Sequence, residues 1–68
     1  MYDEALAHFR KALEIDPAYP NLHFNLGNVY MKMDKIDDAI MEYKKEIEIS
    51  PQNINAKEML EAIEPVAH

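Results

Sequence analysis

The stretch that decides the fold is residues 20–53, PNLHFNLGNVYMKMDKIDDAIMEYKKEIEISPQN. Its apolar residues recur at three- and four-residue steps in two runs: Leu22, Leu26, Val29, Tyr30 and Met33, then Ala39, Ile40, Tyr43 and Ile47. That spacing places each run on one face of a helix. A short polar break at 33–36 separates the runs. The stretch therefore predicts two amphipathic helices joined by a tight turn.

Helical spacing continues on both sides of this pair. We predict four helices, which cover about Asp3–Ile15, a stretch that begins near Pro20 or Asn21, Asp37–Ile49 and Ile54–Glu64. Pro17, Pro51 and Pro65 end three of them, because a proline disfavours helical geometry in the residue before it, and Asn53 is a suitable N-cap for the fourth. No segment alternates as a strand does. The expected class is all-α, with short connections that make sequential helices antiparallel neighbours.

The sequence matches itself when it is shifted by 34 residues, which is half of its length. Eight positions are identical: Asp3/Asp37, Ala5/Ala39, Lys11/Lys45, Glu14/Glu48, Ile15/Ile49, Pro17/Pro51, Asn21/Asn55 and Leu26/Leu60. Phe9 and Tyr43 form one of several similar pairs between them. A fixed period in the range of about 20–50 residues indicates stacked helical repeats.

Length and composition exclude several classes of protein. Sixty-eight residues form one domain at most, and a chain without Cys has no disulfide and no Cys-ligated zinc. The net charge of −6 is opposite to the basic surface that nucleic acid or an anionic membrane attracts. No apolar run reaches the roughly 18 residues of a transmembrane helix. We expect a cytoplasmic protein that binds neither nucleic acid nor membrane.

Catalytic and metal-binding motifs are also missing. His8, His23 and His68 have no Asp, Glu or His at a convincing metal-ligand spacing, and there is no phosphate loop or nucleophile elbow. The acidic pair Asp37-Asp38 lies in a first helical turn, where negative charge suits the helix dipole. We expect no enzyme, no metal and no cofactor.

The spacing in residues 20–53 resembles one complete tetratricopeptide repeat. The signature positions are Leu26-Gly27, Tyr30, Ala39, Tyr43 and Pro51. The resemblance implies an α-solenoid of helix-turn-helix repeats in a shifted frame within one domain, 1–68. Residues 2–19 resemble the second helix of one repeat, 20–53 a whole repeat, and 54–64 a C-terminal capping helix.

Three residues depart from that family's pattern. His23 stands where a large apolar residue is usual, Asp34 replaces the usual turn glycine, and Glu46 replaces a small residue at a tight helix contact. Gly27 follows the pattern, and its missing side chain lets the second helix approach the third closely. Glu46 leaves the packing of the fourth helix open.

The resemblance implies a protein–protein interaction module, a scaffold without catalysis. First helices of such repeats line a concave groove that holds a peptide or a partner helix. The residues expected there are Asn21, Phe24, Asn25, Asn28 and Met31, of which Met31 lies off the core stripe of its helix. Asn55 and Met59 occupy the places where basic residues of a clamp for acidic chaperone tails would stand, so a non-acidic partner is expected.

The alternative is a self-associating fragment with no separate ligand. The first helix lacks a preceding partner, so a face made by Tyr2, Leu6, Phe9 and Leu13 is expected to be uncovered and to favour a homo-oligomer. A second route starts at Asp34, where the second and third helices could straighten into one long helix and exchange between chains.

Overall fold

A computed structural model describes residues 2–19 and 21–63 and places four α helices within them. They are α1 (Tyr2–Ile15), α2 (Leu22–Lys32), α3 (Ile36–Ile49) and α4 (Ile54–Ile63). The described part of the chain contains no β strand. The predicted all-α class and four helices are confirmed. Pro20, Glu64, Pro65 and His68, about which the sequence also makes predictions, lie outside the described residues.

The helices pack in chain order. The extensive helix contacts are those of α1 with α2, α2 with α3, and α3 with α4. A carboxylate oxygen of Glu46, near the end of α3, lies 3.1 Å from the backbone nitrogen of Asn21, just before α2. The end of one helix therefore meets the start of the other, and α2 and α3 form an antiparallel hairpin.

The hydrophobic core lies between α1, α2 and α3. Its buried members are Leu6, Leu26, Tyr30, Ala39 and Tyr43. Partly buried apolar residues surround them: Phe9, Leu13, Phe24, Val29, Met31, Met33, Met59, Leu60 and Ile63. Ala39 and Tyr43 have no exposed surface, because α3 has a helical neighbour on each side. Tyr43 thus fills the space between helices.

Gly27 marks the closest approach between α2 and α3. A Cβ atom at this position would lie 2.5 Å from Cε1 and 2.8 Å from Cδ1 of the Tyr43 ring. Real Cβ atoms do not approach other atoms so closely, and the buried ring has little room to move. The predicted role of Gly27 as a close-contact residue is confirmed.

The turn between α2 and α3 is a Schellman motif. The backbone N–H of Lys35 donates to the carbonyl of Tyr30 at 2.8 Å, and that of Asp34 donates to the carbonyl of Met31 at 3.1 Å. This motif requires a left-handed residue just after the helix, usually glycine. Asp34 occupies that place with φ 62°, so the chain makes the turn without its usual residue.

Two predictions about exposed faces need correction. Leu6 is only 6% exposed and belongs to the core, so the expected uncovered face of α1 is wrong at this residue, because Leu6 turns toward α2. Met31 is half-buried and packs against the core, although its spacing sets it apart from the main apolar stripe. The core of this small domain extends farther around α2 than one helical stripe.

Candidate functional site

The groove residues expected from the sequence lie along α2 and just before it. Asn21 and Asn25 are exposed, whereas Phe24, Asn28 and Met31 are half-buried. Among the described helices, α2 is also the one without an acidic residue, since α1, α3 and α4 each carry at least two. An uncharged, partly apolar strip thus lies within an acidic molecule.

Phe24 and Met31 have roles in packing as well as on the surface. The Phe24 ring lies with its centroid 5.7 Å from that of Tyr43, tilted by 46°. Tilted aromatic pairs at this separation stabilise the packing of the elements that carry them. Because both residues also contact the core, only part of each side chain is available to a partner.

Asn28 has an internal partner. The hydroxyl of Tyr43 donates a hydrogen bond to its amide oxygen. This bond orients the amide while the side chain stays half-buried. The burial of Tyr43 raises the pKa of its hydroxyl, because a buried site disfavours the phenolate. The raised pKa extends to higher pH the range in which the hydroxyl donates to Asn28.

Glu46 forms the cap of α2, a role that the sequence does not predict. Asn21 is the N-cap residue but makes no side-chain capping bond, and its backbone is left-handed at φ 70°. The carboxylate of Glu46 instead accepts hydrogen bonds from the backbone N–H groups of Asn21 at 3.1 Å and Phe24 at 3.3 Å. A carboxylate at this end of a helix also complements its dipole. Glu46 is completely buried, and its charge is matched by these donors.

Asn53 joins the same cluster. Its side-chain nitrogen donates to Oδ1 of Asn21 at 2.8 Å and to Glu46 at 3.3 Å. Its side-chain oxygen accepts from the backbone N–H of Ala56 at 3.1 Å, which confirms the predicted N-cap of α4. The starts of α2 and α4 are therefore connected through one asparagine side chain.

His23 is buried between α2 and α3. Its Nδ1 lies 2.8 Å from a carboxylate oxygen of Glu42, and only 9% of the residue is exposed. Lys45 approaches the other oxygen of Glu42 at 3.9 Å. The sequence leaves open whether His23 is a packing residue or a partly exposed groove residue. Its burial makes it a packing residue, and Glu42 is a partner that sequence reasoning missed.

Arg10 connects α1 to α2. Its guanidinium donates a hydrogen bond of 2.9 Å to the hydroxyl of Tyr30, and the pKa of Arg10 is raised chiefly by that bond. Because Arg10 is exposed, we assign it a positional role and no large contribution to stability.

The four residues expected to mediate self-association do not form one exposed face. Tyr2 is exposed, Phe9 and Leu13 are half-buried, and Leu6 is buried. Ile15, which was not expected at such a surface, is 83% exposed at the end of α1. The apolar surface of α1 is therefore concentrated at its two ends.

The described residues exclude two kinds of site. No group of three or more metal-binding side chains lies together in residues 2–19 and 21–63. Within the same ranges, none of the helices has the length and apolar character needed to cross a membrane.

Two family models match the chain over overlapping ranges of residues. One, described as TPR repeat, matches residues 1–34, and another, described as Tetratricopeptide repeat, matches residues 20–53. The chain therefore belongs to the tetratricopeptide repeat family. Such repeats in general mediate contacts between proteins and are not themselves catalytic.

Curated relatives agree with this assignment. Tetratricopeptide repeat protein 17 of Rattus norvegicus is 30% identical over 94% of this chain, and its counterpart in Danio rerio is 33% identical over the same share. Protein bimA of Emericella nidulans is 36% identical over 76% of this chain. The chain spans only 5%, 5% and 6% of the lengths of these relatives. The match therefore concerns the repeat and not the whole of those proteins.

Proposed function

We propose that this chain is a protein-interaction module that binds an uncharged or basic peptide, or a partner helix, along α2. The observation that carries the proposal is the uncharged strip of Asn21, Phe24, Asn25, Asn28 and Met31 on the one described helix without acidic residues. Asparagine side chains both donate to and accept from a peptide backbone. The half-buried Phe24 and Met31 supply apolar contact area beside them.

The net charge supports this choice of partner. With a charge of −6, the molecule repels acidic peptides and nucleic acid at long range and attracts basic segments. Glu58, which is exposed on α4, adds negative charge to the helix that follows the hairpin. The proposed ligand is accordingly an extended peptide or helix without acidic residues at its contact positions.

A peptide-display experiment tests the proposal. A library of random twelve-residue peptides is selected against the chain, and a selected peptide is titrated calorimetrically. Asn25→Ala is the most informative variant, because Asn25 is exposed and its loss does not disturb the core. We expect affinity to fall about fivefold, the value of one hydrogen bond.

Glu48→Ala is the matched control, because Glu48 is exposed on α3 away from the strip. It should leave the affinity unchanged. Selected peptides that bind Asn25→Ala, Asn28→Ala and Phe24→Ala as tightly as the unaltered chain contradict the proposal.

The second candidate is self-association through exchange of helices at the turn. Asp34 favours it, because a non-glycine residue at φ 62° is strained relative to a helical one. Straightening α2 and α3 into one helix relieves this strain and lets two chains rebuild the hairpin between them. Tyr2, which is exposed on α1, then lies on a surface that a dimer could cover.

Sedimentation equilibrium distinguishes the two candidates. Under the self-association hypothesis, the chain is dimeric at high protein concentration, and Asp34→Gly shifts it toward monomer because glycine removes the strain. A monomer at every concentration excludes this candidate and leaves the peptide-binding proposal untouched.

A further inference from the structure

The buried carboxylate of Glu46 is not part of the proposed binding strip, yet it contacts the base of that strip. We propose that Glu46 is a positioning residue which, together with Asn53 and Asn21, sets the spacing between α2 and α4. We refer to these three residues as the latch. The inference rests on the proposed function in one respect, namely that α2 and α4 border the same groove.

The carboxylate of Glu46 bonds to groups from both ends of the latch. One oxygen of Glu46 receives both the backbone N–H of Asn21 and the side-chain amide of Asn53, at 3.1 and 3.3 Å. The other receives the backbone N–H of Phe24 at 3.3 Å. One carboxylate thus contacts the first turn of α2 and the residue that caps α4.

Helices α2 and α4 both pack on α3. The extensive helix contacts connect α1 with α2, α2 with α3, and α3 with α4. At the starts of α2 and α4, a hydrogen bond of 2.8 Å from Asn53 to Asn21 connects the two helices directly. Their spacing is therefore transmitted through α3 and through the latch.

The internal repeat provides an equivalent position with which Glu46 can be compared. Ala12 occupies in α1 the position that Glu46 occupies in α3, since 12 plus 34 is 46. Alanine is therefore compatible with a helix of this type, and a glutamate is not needed for the helix itself. The carboxylate belongs to the boundary between the hairpin and α4.

The free energy of burying the Glu46 carboxylate depends on its hydrogen-bond donors. A buried carboxylate is tolerated only when hydrogen-bond donors surround it, and charge-assisted bonds of this kind are stronger than neutral ones. Glu46 has three such donors and no exposed surface. Moving α4 away from α2 removes the Asn53 donor, so displacement of α4 is opposed by the latch. An open pocket of about 210 Å³, lined by Asn21, Glu46, Ser50, Gln52 and Asn53, lies over it, and water can enter there when the latch opens.

Distance measurements between spin labels test the inference without any ligand. The chain has no Cys, so nitroxides can be placed on Asn25→Cys in α2 and Glu58→Cys in α4, both at exposed positions. A second pair, Asn25→Cys with Met41→Cys in α3, reports on the hairpin alone. The distance distribution of each pair is measured by pulsed electron paramagnetic resonance, in the otherwise unaltered chain and in the latch variants.

Two latch variants are compared. Glu46→Ala installs the residue that α1 carries at the corresponding position. Asn53→Asp keeps an oxygen to cap α4 but removes the amide donor and sets two carboxylates against each other. We expect both to shift and broaden the α2–α4 distance distribution while the α2–α3 distribution stays the same. Glu48→Ala, an exposed change on the same helix, should alter neither distribution.

Amide hydrogen exchange provides a local readout. In Glu46→Ala the exchange of the Phe24 amide should accelerate about tenfold, within the range expected for a lost helix cap. Amides in the middle of α2 should accelerate less, since their partners lie within the helix.

An α2–α4 distribution that is unchanged in both latch variants overturns the inference. If the latch variants lower only the free energy of unfolding and leave this distribution unchanged, Glu46 is a simple helix cap. If Glu46→Ala does not fold, as judged by its helical circular dichroism, Asn53→Asp decides the question. A changed spacing together with no selectable peptide ligand contradicts the proposed function and leaves the latch intact, so the two failures are distinguishable.

Discussion

The central hairpin and the helices that flank it are built on the same repeat positions but have different surroundings. Ala39 and Tyr43 of α3 are completely buried, whereas Ala5 and Phe9, their counterparts in α1, are only half-buried. The residue types are the same or similar, so the difference comes from the neighbours. Helix α3 makes extensive contacts with two helices, and α1 makes extensive contacts with one. A repeat position thus determines which residue is suitable, and stacking determines how much that residue stabilises.

Helices α2 and α4, which occupy equivalent places in the repeat, also differ in how close their neighbours come. Gly27 in α2 lies against the Tyr43 ring, and its counterpart in α4 is Glu61, which is exposed. A glutamate at this position prevents another helix from packing on α4 as closely as α3 packs on α2 at Gly27. The outer face of α4 is therefore polar where the matching face of α2 is buried.

Removing an aromatic side chain from each region should give the largest difference. We expect Tyr43→Ala to lower the free energy of unfolding by about 3–5 kcal/mol, the usual loss for a buried aromatic residue. Phe9→Ala, at the half-buried equivalent, should lose clearly less. Thermal and urea unfolding followed by circular dichroism measure both, and equal losses contradict the comparison.

A methyl group added at the glycine position tests the helix approach. We expect Gly27→Ala to destabilise the chain by about 1–3 kcal/mol, because its Cβ overlaps the Tyr43 ring and overpacking costs that much. The matched change Glu61→Ala lies on the exposed face of α4 and should stay within about 0.5 kcal/mol of the unaltered chain. A neutral Gly27→Ala in urea titrations disproves the close contact.

The turn within the hairpin should respond to glycine in the opposite direction. Asp34→Gly should stabilise the chain by roughly 1 kcal/mol, because Asp34 has a positive φ that glycine adopts without a steric penalty. The same substitution at Asp37, in the first turn of α3, should destabilise it by a similar amount, because glycine weakens helices. Melting temperatures that move in the same direction for both variants contradict this.

The smallest effect concerns alkaline pH. The pKa of Tyr43 is raised by burial, so the folded chain keeps its proton above about pH 10, where an unfolded tyrosine loses it. The contribution of Tyr43 to the free energy of unfolding is therefore constant below about pH 10, and it falls as pH rises toward the raised pKa. We expect a shallower alkaline loss in Tyr43→Phe than in Tyr19→Phe, since Tyr19 is exposed. Urea unfolding at several pH values measures the two slopes, and equal slopes refute the assignment.

Local patterns were sufficient to predict the helices and their order. Proline positions, three- and four-residue apolar spacing and the 34-residue period all depend on residues near one another in the sequence or on self-comparison. Gly27 was predictable for a related reason, since glycine inside a helix is unfavourable unless a neighbour comes close. The Asn53 cap followed from its place before α4.

Contacts between distant positions were not predictable in this way. The pairing of Glu46 with Asn21 and of His23 with Glu42 crosses from α3 to α2, and no local pattern distinguishes a glutamate that turns inward from one in solvent. The burial of Leu6 and Met31 depends on how α1 and α2 rotate against each other. These outcomes require the three-dimensional packing, which periodicity alone does not specify.

The cap on α2 has a consequence for modularity. An isolated peptide that covers α2 lacks the group that satisfies its first amides, because that group belongs to Glu46 of α3. Asn53 in turn touches both Glu46 and Asn21. The shortest segment that supplies these hydrogen bonds from within itself therefore runs from Asn21 to Asn53, nearly one repeat in length. In this chain the unit that recurs along the sequence is also close to the smallest unit that could be transferred whole to another protein.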